Sequence, residues 1–252
     1  MPRSFLTDAM WAKLEPLIPP ERGGMGRSRH PNRPMVEAIL WRHRTGAPWR
    51  DLPEEFGPWT SVYTRFEAWT KRGVWQRILE FLRKEADLEW VMLDGTIIRA
   101  HQHSAGKKGG GLWNQALGRS RGGCSTKIHL ICDAHGNPLD FLVTPGQAHE
   151  SRSAEGLLCG WQAEYVFGDR AYDGNPVRKA IEAMGATAVI PPHPRRKNPA
   201  AWDSHLYKAR HAIEHGFAKL KQFRALATRF DKTARSFSAQ VALACIVIWL
   251  RL

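Results

Sequence analysis

Acidic residues are scarce in this chain: 24 Asp and Glu stand against 37 Lys and Arg in 252 residues, for a formal charge of +13 at pH 7. Between Gly95 and Ile131 there are none, while Arg99, Lys107, Lys108, Arg119, Arg121 and Lys127 share that stretch with many glycines. Such a balance does not specify a fold, but it points to a polyanionic partner, nucleic acid before membrane. Cysteines are also few, and Cys124, Cys132, Cys159 and Cys245 form no C-x-x-C pair. A zinc ribbon and a disulfide scaffold are therefore disfavoured, and the thiols fit a reducing cytosol. Long hydrophobic runs are missing: the longest, Ala239 to Leu250, includes Gln240 and is about half of the roughly 20 residues a membrane span needs. Met1-Pro2-Arg3-Ser4 leads into polar residues, which predicts no signal peptide. What the chain does have is 43% hydrophobic residues with 11 Trp and 10 Phe, enough for a real core and too many for a disordered basic tail. The expectation is a cytoplasmic, nucleic-acid-directed globular protein.

The first third reads as helical. Ser4 to Asp8 opens a short amphipathic helix through Trp11, Leu14 and Leu17, stopped by Pro19-Pro20. Met35, Ile39, Leu40 and His43 recur at helical spacing up to Gly46-Ala47-Pro48. Trp49-Arg50-Asp51-Leu52-Pro53 starts a brief helix, and Thr60 to Tyr63 begins another that carries Arg65, Phe66 and Trp69. Helix, Gly/Pro-bounded turn, then a helix with Ser, Thr, Tyr and Arg near its start is a helix-turn-helix-like pattern, although a plain small helical bundle has the same signals. Residues 4–86 are the expected helical DNA-binding domain, with Arg65 as one DNA contact.

From Glu89 the period becomes strand-like. Trp90 to Asp94 and Tyr165 to Asp169 are two apolar runs that each end in a carboxylate, and Lys127–Cys132 and Leu139–Thr144 flank a turn-rich link. Ala188 to Ile190 is a further strand; Asn175–Met184, Ser204–Leu226 and Ala239–Leu250 read as helices. Residues 89–252 are thus an α/β domain, a mixed sheet covered by helices. The Gly-rich basic insert near 104–126 is either a solvated loop or a track for a phosphate backbone through Lys107, Lys108, Arg119 and Arg121.

Asp at a strand end can bind a ligand or merely form a turn. A third element changes the balance. Tyr207, Arg210, Glu214 and Lys221 fall within an arc of about 60° at 100° per residue, beside an apolar stripe that includes Ile213, Phe217 and Leu220. An Arg210–Glu214 surface pair is the plain alternative. His101, His103, His211 and His215 lack H-E-x-x-H and an evident third ligand, so a zinc site is not expected.

The spacing Y-x2-R-x3-E-x6-K at Tyr207, Arg210, Glu214 and Lys221 resembles the signature around the last acidic residue of bacterial insertion-sequence DDE transposases. Asp94-Gly95-Thr96 resembles their first acidic motif and Gly168-Asp169-Arg170-Ala171-Tyr172 their second. Trp49 to Pro53 and Trp59 to Tyr63 resemble the helical DNA-binding domain of the group usually called family five. The resemblance runs from about residue 4 to 250. It implies a ribonuclease-H-like catalytic domain in which Asp94, Asp169 and Glu214 bind two Mg²⁺ ions (Mn²⁺ can substitute), and in which Tyr207, Arg210 and Lys221 contact DNA. The implied partners are the element's terminal inverted repeats and target DNA, with a homo-oligomer assembled on them and no membrane. A copy that only binds DNA and a nuclease that never joins strands are the competing functions.

Overall fold

The computed structural model describes residues 5–21, 30–105, 115–120 and 123–252. Its helical part begins with α1 (Asp8–Leu14), where the Thr7 side chain accepts from the Met10 N–H and so satisfies one of the free amides of the first turn. Next come α2 (Asn32–Thr45), α3 (Trp59–Lys71) and α4 (Val74–Leu82). Gly46 ends α2 in the left-handed conformation (φ +70°), where a Cβ would meet Arg224 Cβ at 3.0 Å. The tight turn lies between α3 and α4, through Arg72 and Gly73, and not between α2 and α3, whose connection holds two short 3₁₀ turns at Trp49–Asp51 and Glu54–Phe56.

The sheet follows: β1 (Trp90–Ala100), β2 (Gly118–Ser120), β3 (Gly123–Cys132), β4 (Pro138–Pro145), then α5 (Ser151–Leu158), β5 (Tyr165–Phe167), α6 (Asn175–Ala183) and β6 (Thr187–Val189). The chain ends with α7 (His211–Lys221), α8 (Arg224–Ala227), β7 (Thr228–Arg229) and α9 (Ala234–Leu250). β1 lies at the centre, antiparallel to β3 on one side and parallel to β5 on the other; β4 and β2 extend β3, β6 extends β5, and β7 pairs the far end of β1. This mixed sheet with helices against it is the expected α/β class.

The long apolar α9 is buried nearly throughout because it is wrapped on several sides by α4, α3, α7 and β4. One hydrophobic cluster accordingly joins residues of α2, α3 and α4 to those of the sheet. His43 on α2 is wholly buried inside it, stacked on Phe223 with ring centroids 4.6 Å apart and bonded to Gln240 of α9 at 2.7 Å. Among the described residues no helix is long and apolar enough to cross a membrane.

Two sequence expectations are corrected here. The apolar run at Trp90 does not stop at Asp94, because β3 continues to pair with β1 as far as Arg99 opposite Ser125. The expected helix over Ser204–Leu226 is instead a 3₁₀ segment, Leu206–Arg210, then α7, then a break at Gln222-Phe223 before α8.

Candidate active site

Sheet register places the first two carboxylates. Met92 on β1 pairs in parallel with Phe167 on β5. Asp94 and Asp169 each stand two residues beyond that rung, and Asp169 is still extended (φ −78°, ψ 179°). Side chains two apart share a face and neighbouring strands lie about 4.8 Å apart, so the two carboxylates meet at one edge of the sheet. The meeting is electrostatic as well: Asp169 is one of the charges that push the Asp94 carboxyl upward.

Asp94 is held inside the strand by its own main chain, its Oδ1 accepting from the Gly95 N–H at 2.7 Å. Burial is the largest influence on it and raises its pKa to about 6; the Gly95 N–H and Arg210 work in the opposite direction, while Asp169 and Glu150 add to the rise. Asp169 caps the 3₁₀ turn Arg170–Tyr172, its Oδ1 accepting from the Ala171 N–H at 2.8 Å. Tyr172 is fully buried beside these groups, and burial followed by Glu150, Asp94 and Asp169 raises its hydroxyl pKa.

Glu214 enters from α7. The β3–β4 turn packs directly on that helix: Gly136 has φ +74°, and a Cβ there would overlap the carbonyl oxygen of Ala212. A Cβ on Gly216 would in turn lie 2.8 Å from the Gly136 carbonyl oxygen. Glycine at both positions lets the helix come down onto the sheet. The Glu214 side chain remains 67% exposed and reaches the other carboxylates through Arg210, whose Nη1 donates to Asp94 Oδ2 at 3.0 Å and whose Nη2 lies 3.9 Å from Glu214 Oε1. Arg210 Nε also donates to the Tyr207 hydroxyl at 3.2 Å. In a 3₁₀ turn residues three apart eclipse, so Tyr207 lies directly in line with Arg210, a closer relation than α-helical spacing predicts. Among the described residues no three His, Cys, Asp or Glu side chains are gathered closely enough to hold a metal ion as they stand. Arg210 occupies the place between Asp94 and Glu214.

A fourth carboxylate was not legible in the sequence. Glu150, just before α5, pairs with Lys127 of β3 at 3.1 Å, both largely buried, and packs against Gly95. Lys127 also donates to the Ala148 carbonyl at 2.9 Å.

The remaining expected contacts are spread out. Lys221 is exposed at the end of α7, and Arg119 is exposed on β2. Arg65 is engaged within the helical part, donating to the His30 carbonyl at 2.8 Å and to Asn32 Oδ1 at 2.9 Å. Lys107, Lys108 and Arg121 lie outside the described residues.

Residues 86–250 match the family model described as "Transposase DDE domain", and residues 6–79 match "Putative transposase of IS4/5 family". The chain belongs to the DDE transposases. A protein from Brucella ovis described as "Putative transposase for insertion sequence element IS6501" is 42% identical over 129 residues, covering 50% of this chain and 99% of the relative. The uncharacterized protein y4sN of Sinorhizobium fredii is 43% identical over 103 residues, covering 41% of this chain and 82% of that protein. The cryo-EM structure of a piggyBac transposase synaptic complex with hairpin DNA has the same fold, at TM-score 0.51 and 11% identity over 97% of this chain and 73% of that one. This DDE transposase is therefore an enzyme of DNA transposition with a ribonuclease-H-like sheet, in a family whose chemistry uses divalent metal.

Proposed function

We propose that the chain cleaves DNA at the ends of its insertion sequence and transfers the freed 3′-OH into target DNA, with Asp94, Asp169 and Glu214 as the metal-binding carboxylates. The observation that carries this reading is the equal offset of Asp94 and Asp169 from one parallel rung, with Arg210 linking Asp94 to Glu214. The donor set fits the group: three carboxylates offer the hard oxygens that Mg²⁺ or Mn²⁺ prefers, and Asp94 is a buried acid in need of positive charge. When bound, two such ions supply Lewis acidity to a phosphodiester and stabilise both the attacking and the leaving oxygen.

The chain's own residues do the rest. Arg210 neutralises Asp94 while the site is without DNA, and its fork suits a phosphate once the carboxylate is otherwise satisfied. Tyr207 holds that guanidinium in line. Glu214, more exposed than Asp94, swings inward as Arg210 turns outward. Lys221, roughly 10 Å along the helix from Glu214 at 1.5 Å per residue, meets the backbone of the bound end. Residues 4–86 recognise the terminal inverted repeats, Arg65, Lys107, Lys108, Arg119 and Arg121 add phosphate contacts, and two or more copies assemble on DNA. The enzyme works in the cytoplasm, at the nucleoid.

The test replaces each of Asp94, Asp169 and Glu214 by its amide and measures Mg²⁺-dependent cleavage and joining on DNA bearing the inverted repeats that flank the gene. All three variants should lose both activities and keep DNA binding. Wild-type cleavage by any one of them removes that residue from the site, and cleavage without joining in the wild type marks a nuclease.

A further inference from the structure

Far from the carboxylates, a cleft of about 910 Å³ opens between α2, α3 and the segment that follows β7. His103, beyond the end of β1, is also part of its wall. His101 lies seven residue steps beyond Asp94, about 23 Å at 3.3 Å per residue, so this is a separate place on the molecule.

Two features of the cleft ask for a ligand. Arg42 is 7% exposed and its Nη1 has no hydrogen-bond partner; Asp231 Oδ2 is buried with none either. Their opposite charges attract each other, but no ion pair or hydrogen bond joins them among the described residues, although both line the cleft. Buried polar atoms without partners are rare in folded proteins. An unmatched donor and an unmatched acceptor in one cleft are the complement of a ligand edge that presents an acceptor beside an N–H. Arg42 is fixed in this pose, since its Nε donates to the Ala47 carbonyl at 3.2 Å and its guanidinium lies 5.0 Å from the Trp49 ring centroid.

The second feature is flat apolar surface that nothing covers. Tyr63 and Phe230 line the cleft while 39% and 46% exposed, among the few large hydrophobic side chains left in water. Phe230 is backed by the His101 ring, stacked at 4.6 Å, and Tyr63 by Trp49, edge-on at 5.5 Å. Both are thus fixed platforms. Arg50, Lys71 and Lys232 stand at the same cleft as cations for a phosphate, with Glu67 the one further acid, already bonded to Ser236.

A planar ring with an acceptor next to an N–H, carried on a phosphate, is a nucleotide whose base edge is not paired. We infer that this cleft binds an unpaired nucleobase of a DNA strand, stacked on Tyr63 and Phe230 and held at its edge by Arg42 and Asp231. The inference rests on the reading of the chain as acting on DNA, but on none of the groups that do the chemistry.

The experiment uses the full chain and 2-aminopurine deoxyriboside 5′-monophosphate, whose fluorescence falls when the base stacks on an aromatic ring. Quenching should saturate, and the four ordinary deoxynucleoside monophosphates should compete at least about ten-fold better than deoxyribose 5-phosphate. Phe230→Ala, at an exposed position and with an unchanged melting temperature, should weaken binding at least about five-fold, as should Asp231→Asn. Absence of quenching, equal competition by deoxyribose 5-phosphate, or wild-type behaviour of both variants overturns the inference. Asp94→Asn should bind the probe normally. Intact probe binding in a wild type that never cleaves sinks the proposed function alone, and cleavage without probe binding sinks this inference alone.

Discussion

A Cβ on Gly95 would stand 3.2 Å from both Cγ and Oε1 of Glu150. The missing side chain lets a fourth acid lie against the strand that carries Asp94, where its charge is felt by both Asp94 and Tyr172. Lys127 is the counter-charge that keeps it there.

Replacing Lys127 by Met leaves Glu150 largely buried without its cation. The expected cost is about 2 kcal/mol at pH 8, below the full range for a buried pair because Glu150 is 18% exposed. The double variant Lys127→Met, Glu150→Gln should recover most of it. Urea unfolding of the four proteins in the cycle measures the coupling, and a single-variant cost under about 0.5 kcal/mol would show a pair screened by water.

Asp94 carries a folded-state pKa of about 6, above its ordinary value, so folding binds a proton between roughly pH 4 and 6. Its penalty is absent below that window and fully present above it. Metal-free Asp94→Asn should therefore be more stable than wild type at pH 8, by about 3 kcal/mol, and lose the advantage near pH 4. His43 and His129, whose burial lowers their pKa to about 3 and about 4, tilt stability in the opposite direction over the same range. The diagnostic quantity is thus the difference between the two melting curves. A difference that does not change with pH refutes the assignment.

Arg210 competes with any cation for Asp94. Arg210→Gln should bind Mn²⁺ at least about five-fold more tightly, read by electron paramagnetic resonance of the free ion. Strand joining should nevertheless fall at least about ten-fold, because the fork that suits phosphate is gone. Weaker Mn²⁺ binding in the variant contradicts the competition.

Gly136 meets two obstacles at once, a positive φ and the backbone of α7. Gly136→Val should cost about 2–4 kcal/mol by thermal unfolding. Gly123, also at positive φ but with open space around its Cβ position, should tolerate Ala at about 1 kcal/mol. Similar costs at the two sites would mean that the turn does not bear on the helix.

Lys221 is exposed, whereas Lys219 is half-buried on another face of α7. Lys221→Ala should reduce joining on end DNA at least about five-fold and leave the melting temperature within a degree or two, and Lys219→Ala should do much less to joining. Equal effects leave only general basicity.

The parts of the molecule governed by local rules were legible in the sequence. The hairpin around Asp133–Pro138, the two apolar runs and the buried last helix all follow from periodicity and turn residues. Asp94 as a strand end was not, because its strand is prolonged by a partner far along the chain. The 3₁₀ turn at Tyr207–Arg210 was hidden for a similar reason: Arg210 is drawn to Asp94, 116 residues away. Glu150 and the Arg42–Asp231 cleft depend wholly on tertiary proximity. A helical-wheel angle cannot report them.

Asp94 and Asp169 both take their place from one short parallel ladder, which runs from Trp90 opposite Tyr165 to Met92 opposite Phe167. Residues 101–164, between the end of β1 and the start of β5, can therefore lengthen, shorten or acquire new loops without moving one acid against the other, provided that ladder survives. A pair of acids anchored in this way is insulated from the most variable kind of evolutionary change, insertion and deletion. The chain's Gly-rich stretch after β1 falls within that tolerant interval, which leaves its length free to adapt to whatever DNA the enzyme meets.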